Sequence, residues 1–178
     1  MNILIILVLA GFAIYFLIKV GLLIYRPFYL QKTISNIEAQ HNNLLARLKK
    51  DIDEAVENYN KWKSGDSVTL MVFHSEDELK DRINEAMASK KHAQEVNEKF
   101  IRLRERFIGN YKKLADAIFW YQRYLTLRLK QFENAAIYLG ALNSGVVTFD
   151  EFVASANEGR IAIEESERRL DALLDSNP

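Results

Sequence analysis

Residues 79–107 read LKDRINEAMASKKHAQEVNEKFIRLRERF, and Leu79, Ala86, Ala93, Phe100 and Phe107 stand seven residues apart within them. The same register continues through Leu114 and Tyr121. A seven-residue apolar repeat keeps one seam of a helix against a neighbour, so this stretch predicts long packed helices. A second register runs through Ile83, Tyr111, Ile118, Leu125, Phe132 and Leu139. Lys90, Asn97 and Arg104 interrupt it, and polar residues there fit a solvated seam edge.

Outward from this core the boundaries are legible. Ser75 and Glu78 form the S-x-x-E pattern of a capping box and open the helix. Gly109-Asn110 favours a turn, although the heptad passes through it without a change of phase. Upstream, Ile34, Ile37, His41, Leu45, Leu48, Ile52, Ala55, Tyr59 and Trp62 make a stripe over residues 28–63, with an extra four-residue step after His41 that relaxes the supercoil. That helix would climb roughly 54 Å, and a returning helix would come back to its starting level near Phe107. A turn or kink at Gly109 is therefore favoured over a straight continuation.

Ser64-Gly65-Asp66-Ser67 carries turn chemistry, and SVTLMVF at residues 67–73 reads as an extended loop or, less economically, as a strand that pairs between molecules. Downstream, LNSGVVT at residues 142–148 is a clear stop and restart. Gly145 suits a left-handed cap, and Thr148 with Glu151 repeats the capping-box spacing. The last helix, residues 149–175, should bury Phe152, Ala156, Ile163, Leu170 and Leu174.

The amino-terminal segment differs from everything after it. Residues 3–18 are uncharged and almost wholly apolar, and residues 20–25 continue the run after Lys19. About 20 apolar residues suffice to cross a bilayer, so residues 3–25 predict a transmembrane helix. Lys19 is expected to extend its stem towards the headgroups, with Tyr25, Arg26 and Tyr29 forming an interfacial belt and Pro27 breaking the helix as it leaves the membrane. A signal peptide would open with basic residues and end in a small-residue cleavage site, and neither pattern occurs. A lipoprotein signal needs a cysteine where Phe12 stands, and the chain has none. Lys19, Arg26 and Lys32 follow the run with no acid before Glu38, which predicts the N-terminus outside and the carboxy-terminal part in the cytoplasm.

The expected fold is therefore all-α. A single transmembrane helix within residues 1–27 precedes an antiparallel hairpin or coiled-coil bundle of three to four long helices within residues 28–178, near 28–63, 76–108, 110–142 and 149–175, with a loop at 64–75.

Charge is distributed in blocks of about fifty, fifty, forty-seven and thirty-one residues that carry +5, −5, +5 and −5 and sum to zero. Opposite neighbours attract, which supports pairing the third block with the fourth. The densest feature is YKKLADAIFWYQRYLTLRLK at residues 111–130, with five basic groups against Asp116 alone. Its Lys112, Lys113, Phe119, Trp120, Arg123 and Tyr124 are candidates to bind a partner or anionic lipid, and the aromatic residues equally suit a bundle core.

Catalytic and metal motifs are poorly represented. GVVTFDEF at residues 145–152 resembles the exit half of a calcium-binding EF-hand, but that alignment puts Gly140 and Leu142 where oxygen ligands are required. Glu38 and His41 have the E-x-x-H spacing of di-iron proteins, without the second such motif that chemistry needs. No phosphate-binding glycine loop or zincin motif is present. A neutral chain that carries an anchor is a poor candidate for nucleic acid. The expectation is a non-enzymatic, membrane-anchored scaffold or interaction protein that positions or oligomerises with protein partners, with no metal, no cofactor and no evident small-molecule substrate. The alternative is an envelope-facing coiled-coil component that resembles the inner-membrane subunit of phage spanins in layout.

Overall fold

The computed structural model describes residues 3–65 and 75–176, without the side chains of residues 3–13, 22–28, 136, 139, 142 and 143. The described residues form four α-helices, α1 (Ile3–Ser64), α2 (Glu76–Arg106), α3 (Tyr111–Asn143) and α4 (Phe149–Asp175), and no strand. The chain divides into two compact units, Met1–Glu38 and Ala39–Pro178. The expected loop or strand at residues 67–73 lies outside the described residues.

In the first unit, the break expected at Pro27 is absent, because α1 continues through it. Proline removes one amide donor and crowds one carbonyl, which can kink a helix without ending it when good helix formers flank it. Ile14, Tyr15, Phe16, Leu17 and Ile18 are all more than half exposed. The Lys19 ammonium lies over the Tyr15 ring at 5.6 Å, one turn towards the N-terminus. That reverses the direction expected for its stem, and it follows from the tilt of every Cα–Cβ bond towards a helix's N-terminus. Among the described residues no helix is long and apolar enough to cross a membrane, and of the expected span only residues 14–21 have described side chains.

The second unit is a bundle whose direction of packing can be read from its contacts. Asp51 pairs with Arg82 and Tyr59 with Glu76, so residue numbers rise in α1 as they fall in α2 and the two are antiparallel. Asn97 reaches Tyr121, while Phe107 meets Lys113, so α2 and α3 are antiparallel as well. Trp120 meets Arg169 and Tyr138 meets Phe152, which makes α4 antiparallel to α3. His92 pairs with Glu167 and Lys99 with Asp171, so α2 and α4 run parallel. The result is an up-down-up-down bundle of antiparallel neighbours.

Seams in the bundle follow the heptad, with shifts of one residue. On α1 the buried residues of this unit are His41, Leu44, Leu48 and Ala55, so the stripe passes through Leu44, not Leu45. The extra four-residue step is absent, since 41, 44, 48 and 55 keep a strict heptad, and Trp62 at the end of the helix is exposed. On α2 the first register is buried as read, and the second runs through Val96 and Leu103, one residue before Asn97 and Arg104. Those two polar residues are half-buried at the edge of the seam. Each buried leucine contributes about 1.5–3 kcal/mol relative to an exposed one.

The helix ends are set by local chemistry. The Ser75 hydroxyl accepts from the Glu78 amide at 3.2 Å. The chain turns at residues 107–110, where the Asn110 amide donates to the Phe107 carbonyl and the Asn110 side chain accepts from the Lys113 amide. After α3, Gly145 takes φ +72°, a conformation that favours glycine, and the Val146 amide returns to the Ala141 carbonyl. Thr148 and Glu151 then form a complete capping box. Thr148→Ala is expected to cost about 1 kcal/mol in urea denaturation, with Thr148→Ser close to wild type.

On α4 the buried residues are Ile163, Ser166 and Leu170. Phe152 and Leu174 are half-buried and Ala156 is exposed, so the expected core face is correct only in its carboxy-terminal half. Ser166 fits inside because its hydroxyl donates to the Ala162 carbonyl one turn back.

Candidate functional site

Three features of the second unit carry chemistry beyond plain packing: a buried polar network, a basic and aromatic face, and an open groove. The network lies where α1, α2 and α3 meet. Tyr121 is fully buried, its hydroxyl donates to Asn97 Oδ1 at 2.8 Å, and His41 Nδ1 lies 3.0 Å from the same oxygen. Since the hydroxyl proton goes to Asn97, the imidazole must be the donor, which fixes the Nδ1–H tautomer. The Phe100 ring stacks on Tyr121 at 4.3 Å, and Tyr124 stacks on its other flank at 6.0 Å. Burial raises both phenols, Tyr124 to about 12. Neither phenol ionises near neutrality, and the hydrogen bonds of Tyr121 tie α1, α2 and α3 together.

Burial lowers the pKa of His41 below its ordinary value of 6.5. The unfolded chain therefore binds a proton at a higher pH than the folded chain does. Stability from this group is complete above about pH 6.5 and is lost as pH falls from there through the lower folded value. Urea denaturation at pH 7.5 and 5.5 should show a loss on acidification that is smaller in His41→Gln.

The basic and aromatic face is split by the fold. Tyr124 is buried, so it belongs to the core and is withdrawn from the candidate binding residues. Phe119 is exposed and meets Trp120 edge-on at 5.0 Å. Arg169 of α4 and Arg123 of α3 lie over the Trp120 ring at 5.4 Å and 6.0 Å. Lys113 reaches across to Ser176 Oγ at 3.3 Å and lies over the Phe107 ring, whereas Lys112 is exposed. Arg169 and Lys113 thus link α3 to α4, and Phe119, Lys112 and Arg123 are the exposed part of the face. Of the membrane-interface candidates, Lys19 and Tyr29 are exposed, and Tyr25 and Arg26 have side chains outside the described residues.

α3 and α4 pair as expected, but no described ion pair joins them. The described ion pairs between helices link α1 with α2, α2 with α4 and α1 with α3, as in Asp51–Arg82, Lys99–Asp171 and Arg47–Glu133. Arg106 adds bonds to the carbonyls of Leu174 and Ser176 at the end of α4. Between α3 and α4 the contacts are mainly apolar, aromatic and cation–π in kind. No group of three or more metal-ligating side chains occurs among the described residues.

The groove lies between α3 and α4, with a volume of about 440 Å³. Leu127, Tyr138 and Phe152 wall it, and Lys130 and Glu158 stand on its rims. Heptad reading missed it because the second register continues through Phe132 into this region as if it were core. The signal in the sequence was the run of small residues at Ser155, Ala156, Gly159 and Ala162, which are too short to fill the space that their spacing lines up. No family model, curated protein or solved structure matches the chain.

Proposed function

We propose that this chain is a single-pass membrane protein whose helical bundle acts as a scaffold that positions or oligomerises protein partners at the membrane. The observation that carries this reading is the exposure of Ile14, Tyr15, Phe16, Leu17 and Ile18. Five consecutive residues turn through more than a full circle of helix, so no face is polar and none is covered within its own unit. An uncovered apolar girdle inside a 23-residue run that is interrupted only by Lys19 calls for a hydrocarbon surrounding. Tyr29 and the basic Arg26 and Lys32 that follow suit an interface, and their charge favours a cytoplasmic bundle.

The placement of Lys19 bears on the same point. Its ammonium over the Tyr15 ring gains a cation–π contact of about 0.5–2 kcal/mol, which offsets part of the 2.5–3.5 kcal/mol, roughly, that a lysine costs in hydrocarbon. The bundle supplies the interaction surfaces: Phe119, Lys112 and Arg123 on one side and the α3–α4 groove on another. A scaffold role agrees with a polar network that is fixed in register. The reading is tested by pelleting membranes that carry the full chain and washing them with alkaline carbonate. Retention in the pellet is expected, and release into the wash would overturn it.

A further inference from the structure

The distal half of the α3–α4 hairpin is apolar and yet uncovered. From Thr126 to Ala162 no described side chain is buried, although the stretch includes Leu127, Phe132, Ile137, Tyr138, Phe149 and Phe152. Ile137 and Phe149 are about two-thirds exposed, at 67% and 64%. Below this level the same two helices bury Leu125, Ile163 and Leu170 against the rest of the bundle. Patches of this kind mark interaction surfaces in folded proteins.

We infer that the groove is occupied by the same groove of a second copy of this chain, the two hairpins forming an intermolecular four-helix bundle. Charge at the rims points to that occupant. Lys130 stands on the α3 rim and Glu158 on the α4 rim. Both are exposed, and neither enters an ion pair among the described residues. Gln131 lies against Gly159, so residues 130 and 158 differ in height by two residues, only about 3 Å, on the two antiparallel helices. A two-fold axis running along the groove exchanges the helices while keeping heights. It brings each Lys130 within about 3 Å in height of the partner copy's Glu158, a gap that two long side chains span, twice over, as a self-complementary interface requires.

The charges of the arms agree. Residues 126–143 of α3 carry Arg128 and Lys130 against Glu133, and residues 149–162 of α4 carry Asp150, Glu151 and Glu158 against Arg160, so the arms are +1 and −2. Each arm of one copy then meets an arm of opposite sign in the other. Ala135, Ala156 and Ala162 line the groove with small side chains, which lets a second pair of helices approach closely.

The inference deepens the scaffold reading, and its test separates the two. Two full-length copies bearing different tags are co-expressed, extracted in mild detergent and captured by one tag. Wild-type copies should be recovered together. Lys130→Glu on both copies, or Glu158→Lys on both, should lower recovery of the second tag at least about fivefold through like-charge contact. Copies that carry K130E mixed with copies that carry E158K should regain wild-type recovery, as should the double variant paired with itself. Helix content by circular dichroism confirms that both exposed substitutions leave the bundle folded. Failure of wild-type copies to associate would overturn the inference and leave the groove to another partner. Association that the single swaps do not weaken would overturn it too, by placing contact elsewhere. In either case both tags stay in the carbonate-washed pellet if the anchor holds, so failure of the dimer is distinct from failure of the membrane reading.

Discussion

Replacing Ile14 and Leu17 together with aspartate is expected to release the chain from carbonate-washed membranes. Each aspartate near the middle of the apolar run costs about 2.5–3.5 kcal/mol on insertion scales. Two of them cost about 6 kcal/mol, roughly four powers of ten in the insertion equilibrium. Both side chains are exposed on α1, at 59% and 69%, so the substitutions remove no packing from the bundle. Ile14→Leu with Leu17→Ile should stay in the pellet. Lys19→Leu should hold at least as firmly as wild type, because it removes the one charge within the run. A double-aspartate chain that still pelleted would mean that the girdle at residues 14–18 is covered by protein and not by lipid.

The second large effect belongs to the buried network. Tyr121→Phe keeps the ring that stacks on Phe100 and Tyr124 and removes the oxygen shared by His41 and Asn97. Two polar groups then lose their common partner inside the bundle, at a cost of about 1–3 kcal/mol in denaturation free energy. Tyr121→Ala also deletes a fully buried ring and should cost about 3–5 kcal/mol. A double-mutant cycle between Tyr121→Phe and His41→Leu should give a combined loss smaller than the sum of the single losses, since the second change removes the donor that the first one orphans. Additive losses would show that the 3.0 Å contact between His41 and Tyr121 contributes little in solution.

The all-helical architecture and the helix ends from residue 63 onward were legible because each rests on local chemistry, whereas the break expected at Pro27 does not form. Ser75 with Glu78 and Thr148 with Glu151 are capping patterns that need nothing distant to form, and both caps are made. Seam positions were legible to within one residue. At Leu44-Leu45 and at Val96-Asn97, adjacent residues both lie near the seam, and only the rotation of the helix against its neighbours chooses between them. A strict heptad on α1 settles it in favour of Leu44.

What stayed hidden depends on contacts far apart in the chain. Asn97 read as a solvated seam residue, and its partner is 24 positions away at Tyr121. His41 was placed in the seam of α1, and what stayed hidden was its partner, a phenol that lies 80 residues further on. Tyr124 suited both a binding face and a bundle core, and the fold turned it inward against Tyr121. The groove was hidden for the opposite reason. Periodicity forecasts which face packs, but not where the neighbour stops, and apolar residues beyond Leu125 keep their spacing after the bundle has ceased to cover them.

We propose that an apolar amino-terminal helix holds this bundle on the cytoplasmic face of a membrane. A chain without cysteine permits a direct test. Gln94 is exposed on α2, and Gln94→Cys provides a single reactive thiol in the bundle. Cells carrying that variant are treated with a membrane-impermeant maleimide before and after lysis, and the label is followed in the membrane pellet. Labelling only after lysis, on chain that sediments with the membrane, is the predicted result. Labelling in intact cells, or labelled chain left in the supernatant, would contradict it.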